Sequence, residues 1–224
     1  DNLRRLGESG LAQMLAPPKW GGLASDECTT ADLDLLAEIL VEISAGESST
    51  AQIWSVHTVV SRLILGDLLE IDPDLQRQLA GELLEEGARF SNSAAESGKQ
   101  RREFTTTATR KGDHYIIEGV KIFNTGSEGS RYTIAPVISD EIPGGGLAYV
   151  LIPMDADGVK PHNDWDNMGQ RATASGTVSF EQVAVPARFH FPIRGGPGAF
   201  FGPKSVFGLF FQTAINSVIL GMGL

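Results

Sequence analysis

The sequence predicts an α+β fold in three parts. A helical domain covers residues 1–88, a central antiparallel β-domain covers 89–192, and residues 193–224 hold a linker and the first helix of a further helical domain. Two observations carry this reading. Up to Ala88, leucine and isoleucine recur at spacings of three and four; beyond it the pattern alternates with a period of two. The glycine-rich stretch Gly195-Gly196-Pro197-Gly198 then breaks the sheet before a last apolar run.

In the first part, Leu3, Leu6, Leu11 and Leu15 form a loose helical stripe over 2–15, closed by Pro17-Pro18 and the loop Trp20-Gly21-Gly22. Thr29 or Thr30 caps the next helix, which shows Leu33, Leu36, Leu40 and Ile43 on one face. A third helix runs from about Ser49 to Leu65. A fourth starts at Asp72-Pro73, an N-cap followed by proline in the first turn, and carries Leu75, Leu79 and Leu83.

Strands are expected at Phe104–Arg110, His114–Asn124, Tyr132–Ile138, Leu147–Ile152 and Thr177–Val185, with Lys111-Gly112-Asp113 and Pro143–Gly146 as turns. The run Ser205–Leu224 is apolar enough to raise a membrane-spanning helix. Gln212 and Asn216, four apart on one helical face, favour a helix packed in a bundle instead. Its apolar positions Phe207, Phe210, Phe211, Ile215 and Ile219 are expected to form an exposed patch.

Composition narrows the function classes. Of the 224 residues 42% are hydrophobic and 21% charged, ordinary values for a globular enzyme domain. A formal charge of −10 argues against nucleic acid, because the one basic cluster, Lys99-Gln100-Arg101-Arg102, is too short to replace counterions along a backbone. The single cysteine, Cys28, excludes an internal disulfide or a cysteine-based zinc site, so a reducing cytoplasm is expected. No charged-then-apolar signal stretch is read at Asp1. No His/Asp/Glu group has metal-ligand spacing, and no Gly-x-Gly-x-x-Gly follows a strand. Asp155/Asp157 and Asp164/Asp166 lie in turn-rich sequence and read as turn-forming pairs rather than an acid–base dyad. His114, His162 and His190 fall in turns and take no role.

Two segments carry more. Gly112–Ser130, GDHYIIEGVKIFNTGSEGS, is a hairpin leading into a strand that ends at Asn124-Thr125-Gly126. Asn163–Pro186, NDWDNMGQRATASGTVSFEQVAVP, places Met168-Gly169-Gln170-Arg171 before small polar residues, an alternating strand and a closing Val-Pro. In this order and separation they resemble the central β-domain of the acyl-CoA dehydrogenase superfamily, which holds a flavin. Pro17–Ser44 is similar to the superfamily's N-terminal helical domain, with its Gly-Gly loop before a helix. The resemblance implies an acyl-CoA dehydrogenase-like fold ending in a helical bundle. This chain is expected to reach only the first helix of that bundle, with the rest missing, and the full-length protein to form a homotetramer.

The resemblance also implies site residues. Thr125 falls where the superfamily sets a hydroxyl beside the flavin N5 or O4 edge, with Asn124 next to it and Phe123 on or near the ring. Trp165 would flank the flavin or the substrate. Each has a plainer reading: a strand-end threonine closing a local turn, an aromatic in the core, a loop anchor. In Ser91-Asn92-Ser93-Ala94-Ala95-Glu96 the chain lacks the proline and the Gly-Ser-Asp that acyl-CoA dehydrogenases carry there. Asn92 instead matches an asparagine of the flavin-dependent monooxygenases, and His57 in Trp54-Ser55-Val56-His57-Thr58 looks like an active-site histidine of the dibenzothiophene and sulfone monooxygenase type. A histidine on an apolar helix can equally be a core residue.

That subgroup implies FMN, a separate flavin reductase, and a C4a-hydroperoxide that passes one oxygen to sulfur or nitrogen of a small apolar substrate. Two alternatives stay open. One is an FAD-dependent acyl-CoA dehydrogenase, whose catalytic carboxylate would lie in the bundle, and the other is a scaffold without activity. The loop Gly126–Ser130 lacks the lysine of a phosphate-binding P-loop, and a surface turn is its plain reading.

Overall fold

A computed structural model describes residues 1–25, 29–66, 68–98, 104–143, 146–193 and 206–224, without the side chains of 206 and 207. Cys28, the basic cluster at 99–102, the 195–198 break and the Phe207 side chain lie outside the described residues.

Among the described residues four α-helices precede the sheet: α1 (Asn2–Glu8), α2 (Thr30–Gly46), α3 (Ser48–Leu65) and α4 (Pro73–Glu86). Their starts follow the capping chemistry. At α2, Asp32 accepts the Thr29 amide at 2.7 Å; at α3, Glu47 accepts Ser49 and Thr50 amides at 3.0 and 2.6 Å; at α4, Asp72 accepts Asp74 and Leu75 amides at 3.0 and 3.1 Å. The expected helix over 2–15 stops at Glu8, and Leu11–Gln13 form a 3₁₀ turn after Gly10, whose φ is +82°. Helix α3 is the centre of the molecule: every residue from Trp54 to Leu65 is buried, and it packs on α2, β1 and the last helix, α5 (Val206–Gly221).

The five expected strands are present, as β2 (Thr107–Lys111), β3 (His114–Lys121), β4 (Tyr132–Ser139), β5 (Leu147–Pro153) and β7 (Val178–Pro186). Three short ones were not anticipated: β1 (Phe90–Asn92), β6 (Val159–Pro161) and β8 (His190–Pro192). The order is β6-β7-β3-β2-β4-β5-β8, with β1 also against β4.

The sheet is mixed where an antiparallel one was expected. Five pairings are antiparallel, but β1 and β2 both run parallel to β4. Residue alternation reports which face a side chain takes and hairpin turns report antiparallel neighbours; neither reports a parallel partner about 30 to 40 residues away. The sheet curls, so that Tyr115 on β3 stacks on His190 on β8 at 4.1 Å between ring centroids with β2, β4 and β5 between them. One hydrophobic core runs from Leu36, Trp54 and Leu79 in the helices to Ile134, Val150 and Phe180 in the sheet.

Helix α5 packs on α2 closely enough that Ser44 donates to the Val218 carbonyl at 2.7 Å and a Cβ at Gly221 would sit 2.4 Å from the Val41 carbonyl oxygen. Phe210, Ala214 and Val218 face inward, which corrects the exposed position expected for Phe210. Ile219, with Leu209 and Leu220, is exposed. Among the described residues no helix is long and apolar enough to cross a membrane.

Candidate functional site

Two loops build one wall. The first follows β3 and carries Phe123 to Ser130; the second runs from β6 to β7 and carries Asn163 to Thr177. Backbone bonds tie them: Asn124 N–H donates to the Gly176 carbonyl at 3.1 Å and Gly126 N–H to the Thr173 carbonyl at 3.0 Å. Between them lies a cleft of about 130 Å³ lined by Ser127, Asn163, Trp165, Arg171, Ala174 and Gly176. Gly126 sits against Ile53 of α3, where an added Cβ would be 2.9 Å from the isoleucine Cγ2.

The wall is strained. Among the described residues five non-glycines have positive φ, and four of them belong to these two loops: Phe123 at 57°, Asn163 at 52°, Gln170 at 50° and Ala174 at 46°. Asparagine tolerates that region; a phenylalanine there costs about 1–2 kcal/mol and is held only by its surroundings. Phe123 is also 60% exposed, an unusual setting for a strained aromatic. Its ring meets Trp165 edge-on, with centroids 6.1 Å apart and planes at 88°.

Trp165 is half-buried and donates from Nε1 to the Gln170 carbonyl at 3.0 Å. Thr125, also half-buried, shares a hydrogen bond with Ser175 at 2.9 Å between oxygens; Ser175 shares another with Thr173 at 2.7 Å; Thr173 donates to the Gln170 carbonyl at 2.8 Å. Thr125 and Trp165 thus end on the same carbonyl. The small polar residues after Arg171 were the signal for this network, but Thr173 and Ser175 had not been singled out.

Asn124 belongs to the frame. It is fully buried, and its amide donates to the carbonyls of Lys121 and Gly176, both at 2.8 Å, bracing the Phe123 turn; its Oδ1 has no partner. That placement replaces direct cofactor contact through its side-chain amide with support of the turn.

Lys121 and Glu96, also not anticipated, pair in the interior at 2.7 Å, both essentially inaccessible. Lys121 donates further to the Pro136 carbonyl at 2.8 Å, and Glu96 accepts from the amides and hydroxyls of Thr105 and Thr106. Burial pushes Lys121 down to about 8. Burial alone would raise Glu96, but the hydrogen bonds from Lys121 and both threonines and the Lys121 charge hold it at about 2. The pair joins the Asn92 segment to the strand leading into Phe123.

Asn92 ends β1, partly buried, and its Oδ1 is enclosed without a hydrogen-bond partner. His57 does not line the open cleft expected of it. The imidazole is 1% exposed, 5.0 Å from the Trp54 ring and stacked at 6.0 Å on Phe90. Its Nδ1 accepts the Phe90 amide at 3.1 Å, so the proton sits on Nε2, which lies toward the Ala12 carbonyl without a well-formed hydrogen bond. Burial, with the nearby Arg89 charge, lowers its pKa to about 3 and keeps it neutral. Helix α3 is buried on all sides from Trp54 to Leu65, and His57 is buried with it.

Asp164 accepts the Thr177 amide and hydroxyl at 2.7 and 2.6 Å, as a turn-forming residue does, and Asp166 pairs with Arg171 at 2.8 Å. Among the described residues no three His, Cys, Asp or Glu side chains are placed to hold a metal.

This geometry agrees with what the chain is similar to. Residues 90–183 match the acyl-CoA dehydrogenase middle domain. A dibenzothiophene monooxygenase of Mycolicibacterium goodii is 30% identical over 223 residues, 96% of this chain and 51% of the relative. The short-chain specific acyl-CoA dehydrogenase of Rattus norvegicus mitochondria is 29% identical over 205 residues, 89% of this chain and 46% of the relative. The FMN-bound TdsC of Paenibacillus sp. A11-2 superposes with a TM-score of 0.82 at 24% identity, over 98% of this chain and 54% of that one. The chain is thus similar, over its middle domain and the helices before it, to acyl-CoA dehydrogenases and to dibenzothiophene monooxygenases alike, and it shares the fold of the FMN-bound TdsC. It spans about half the length of the relatives it matches.

Proposed function

We propose that the protein is a flavin-dependent monooxygenase that uses FMN and O2 to oxygenate sulfur or nitrogen in a small apolar substrate. The observation that carries this reading is the wall of Phe123, Thr125 and Trp165. An exposed aromatic held in a strained turn, an indole edge against it and a hydroxyl alongside suit a flat heteroaromatic ring with a polar rim. The matches to dibenzothiophene monooxygenases support the same reading.

When bound and reduced, FMN would supply the electrons that activate dioxygen. The chain's residues do the rest. Phe123 and Trp165 hold the ring by its faces and edges, and Asn124, through its backbone bonds, keeps Phe123 in its turn. Thr125 orients the polar rim. Asn92 offers an enclosed Oδ1 to a donor on substrate or cofactor. His57 acts through β1: by accepting the Phe90 amide it sets the strand that ends in Asn92. The division into domains at 1–88, 89–192 and 193–224, a homotetrameric assembly, a separate flavin reductase and a cytoplasmic location belong to the same proposal.

FMN titration is the first test: saturable quenching of flavin fluorescence is expected, weakened on the order of tenfold by Trp165→Ala, as for loss of one well-placed aromatic contact. Equal affinity in the variant would remove Trp165 from the site. The acyl-CoA dehydrogenase reading, favoured by the middle-domain match, makes a different prediction, namely anaerobic bleaching of bound FAD by an acyl-CoA thioester.

A further inference from the structure

Three hydroxyls and one carbonyl form a chain: Thr125 to Ser175 at 2.9 Å, Ser175 to Thr173 at 2.7 Å, and Thr173 to the Gln170 carbonyl at 2.8 Å. A carbonyl oxygen has no proton, so Thr173 must donate to Gln170. The Thr173 proton is then spent, and Ser175 must donate to Thr173. By the same count Thr125 must donate to Ser175. Three links consume three protons. Ser175 and Thr173 are 5% and 1% exposed, so water does not readily reorder the chain. The carbonyl at its end is fixed by the Trp165 indole, which donates to the same oxygen at 3.0 Å.

Thr125, half-buried at the end of this chain, is therefore left with lone pairs and no proton to offer beyond the network. We infer that Ser175 and Thr173 are positioning residues that make Thr125 a hydrogen-bond acceptor, and that the site thereby prefers the reduced form of its flavin. This rests on the flavin reading above. N5 of an oxidised flavin only accepts, and O4 accepts in both forms; N5 of a reduced flavin carries a proton and donates. An acceptor-only hydroxyl matches just the last of these. A protein that takes its flavin already reduced gains by such a bias.

The test is the midpoint potential of FMN bound to the protein, which equals the free value displaced by the ratio of oxidised to reduced affinities. Ser175→Ala frees the Thr125 proton to donate to oxidised N5. The ratio should shift toward the oxidised form on the order of tenfold, a typical worth for one such hydrogen bond. For a two-electron couple that is about 30 mV lower. Thr173→Val should act in the same direction, and Ser175→Thr, which keeps the hydroxyl, should restore the wild-type value. In a Thr125→Val background Ser175→Ala should have no further effect, which separates an action through Thr125 from general loosening of the loop. Unchanged potentials in both Ser175→Ala and Thr173→Val, with FMN still bound, would overturn this inference while leaving the flavin site standing. A wild-type protein that binds neither form of FMN overturns both.

Discussion

The Phe90 amide donates to Nδ1 of His57 over 3.1 Å, so a side chain of α3 closes the outer edge of β1. The opposite edge of this three-residue strand pairs with β4. Without an acceptor there, a buried N–H is orphaned at a cost of about 1–3 kcal/mol. His57→Phe should therefore destabilise the protein by roughly that amount. His57→Asn, which can present an oxygen near the Nδ1 position, should lose less. Urea denaturation of both variants checks this, and equal loss in the two would show that the hydrogen bond contributes nothing.

The same histidine predicts an acid limb. Its folded pKa, about 3, lies below the ordinary imidazole value of 6.5, so the unfolded chain takes up a proton that the folded one refuses. Stability is full above pH 6.5 and falls as pH drops toward 3. Glu96 acts in the same direction but lower, from 4.5 down to about 2. Between pH 6.5 and 4.5 the loss should flatten in His57→Asn, whereas Glu96→Gln should leave that window unchanged and alter only the limb below it. Unfolding midpoints measured at pH 7.5, 5.5 and 4 give the comparison.

Phe123 trades stability for surface. Glycine at this position removes the left-handed strain, worth about 1–2 kcal/mol, while giving up a ring that is already 60% exposed. Phe123→Gly should leave the unfolding midpoint unchanged or raised and should weaken FMN binding. A variant both less stable and unaltered in FMN affinity would make the residue a structural anchor and nothing more.

The Lys121–Glu96 pair predicts a non-additive result. Lys121→Met strands a buried carboxylate among hydrogen-bond donors and should cost about 3–5 kcal/mol, whereas adding Glu96→Gln should return part of the loss. Thermal melts of the two singles and the double would show additivity instead if the charges did not interact.

What the sequence disclosed follows from the range of each signal. Asp72-Pro73 and the Thr29 region announce helix starts because capping is local. Phe123, Thr125 and Trp165 were named through the resemblance carried by two ordered segments, and local spacing did not show that Phe123 would meet Trp165 or that Thr125 would bond Ser175. The strands β1, β6 and β8 are three residues each, too short to show alternation, and the parallel pairings of β4 are set by tertiary packing. His57 was named, but periodicity alone did not show that its Nδ1 would meet a strand amide and not an open cleft. The Lys121–Glu96 pair and the Thr173–Ser175 link join residues by fold and by rotamer, which no spacing rule reports.

The monooxygenase reading is tested most directly by oxygen labelling. The protein is mixed with FMN reduced by a separate reductase, ¹⁸O2, and a panel of small apolar acceptors headed by dibenzothiophene, and the products are weighed by mass spectrometry. The account predicts one ¹⁸O atom per oxygenated product molecule, with little label in hydrogen peroxide. Complete diversion of the reducing equivalents to labelled hydrogen peroxide, with no labelled product from any acceptor, would contradict it.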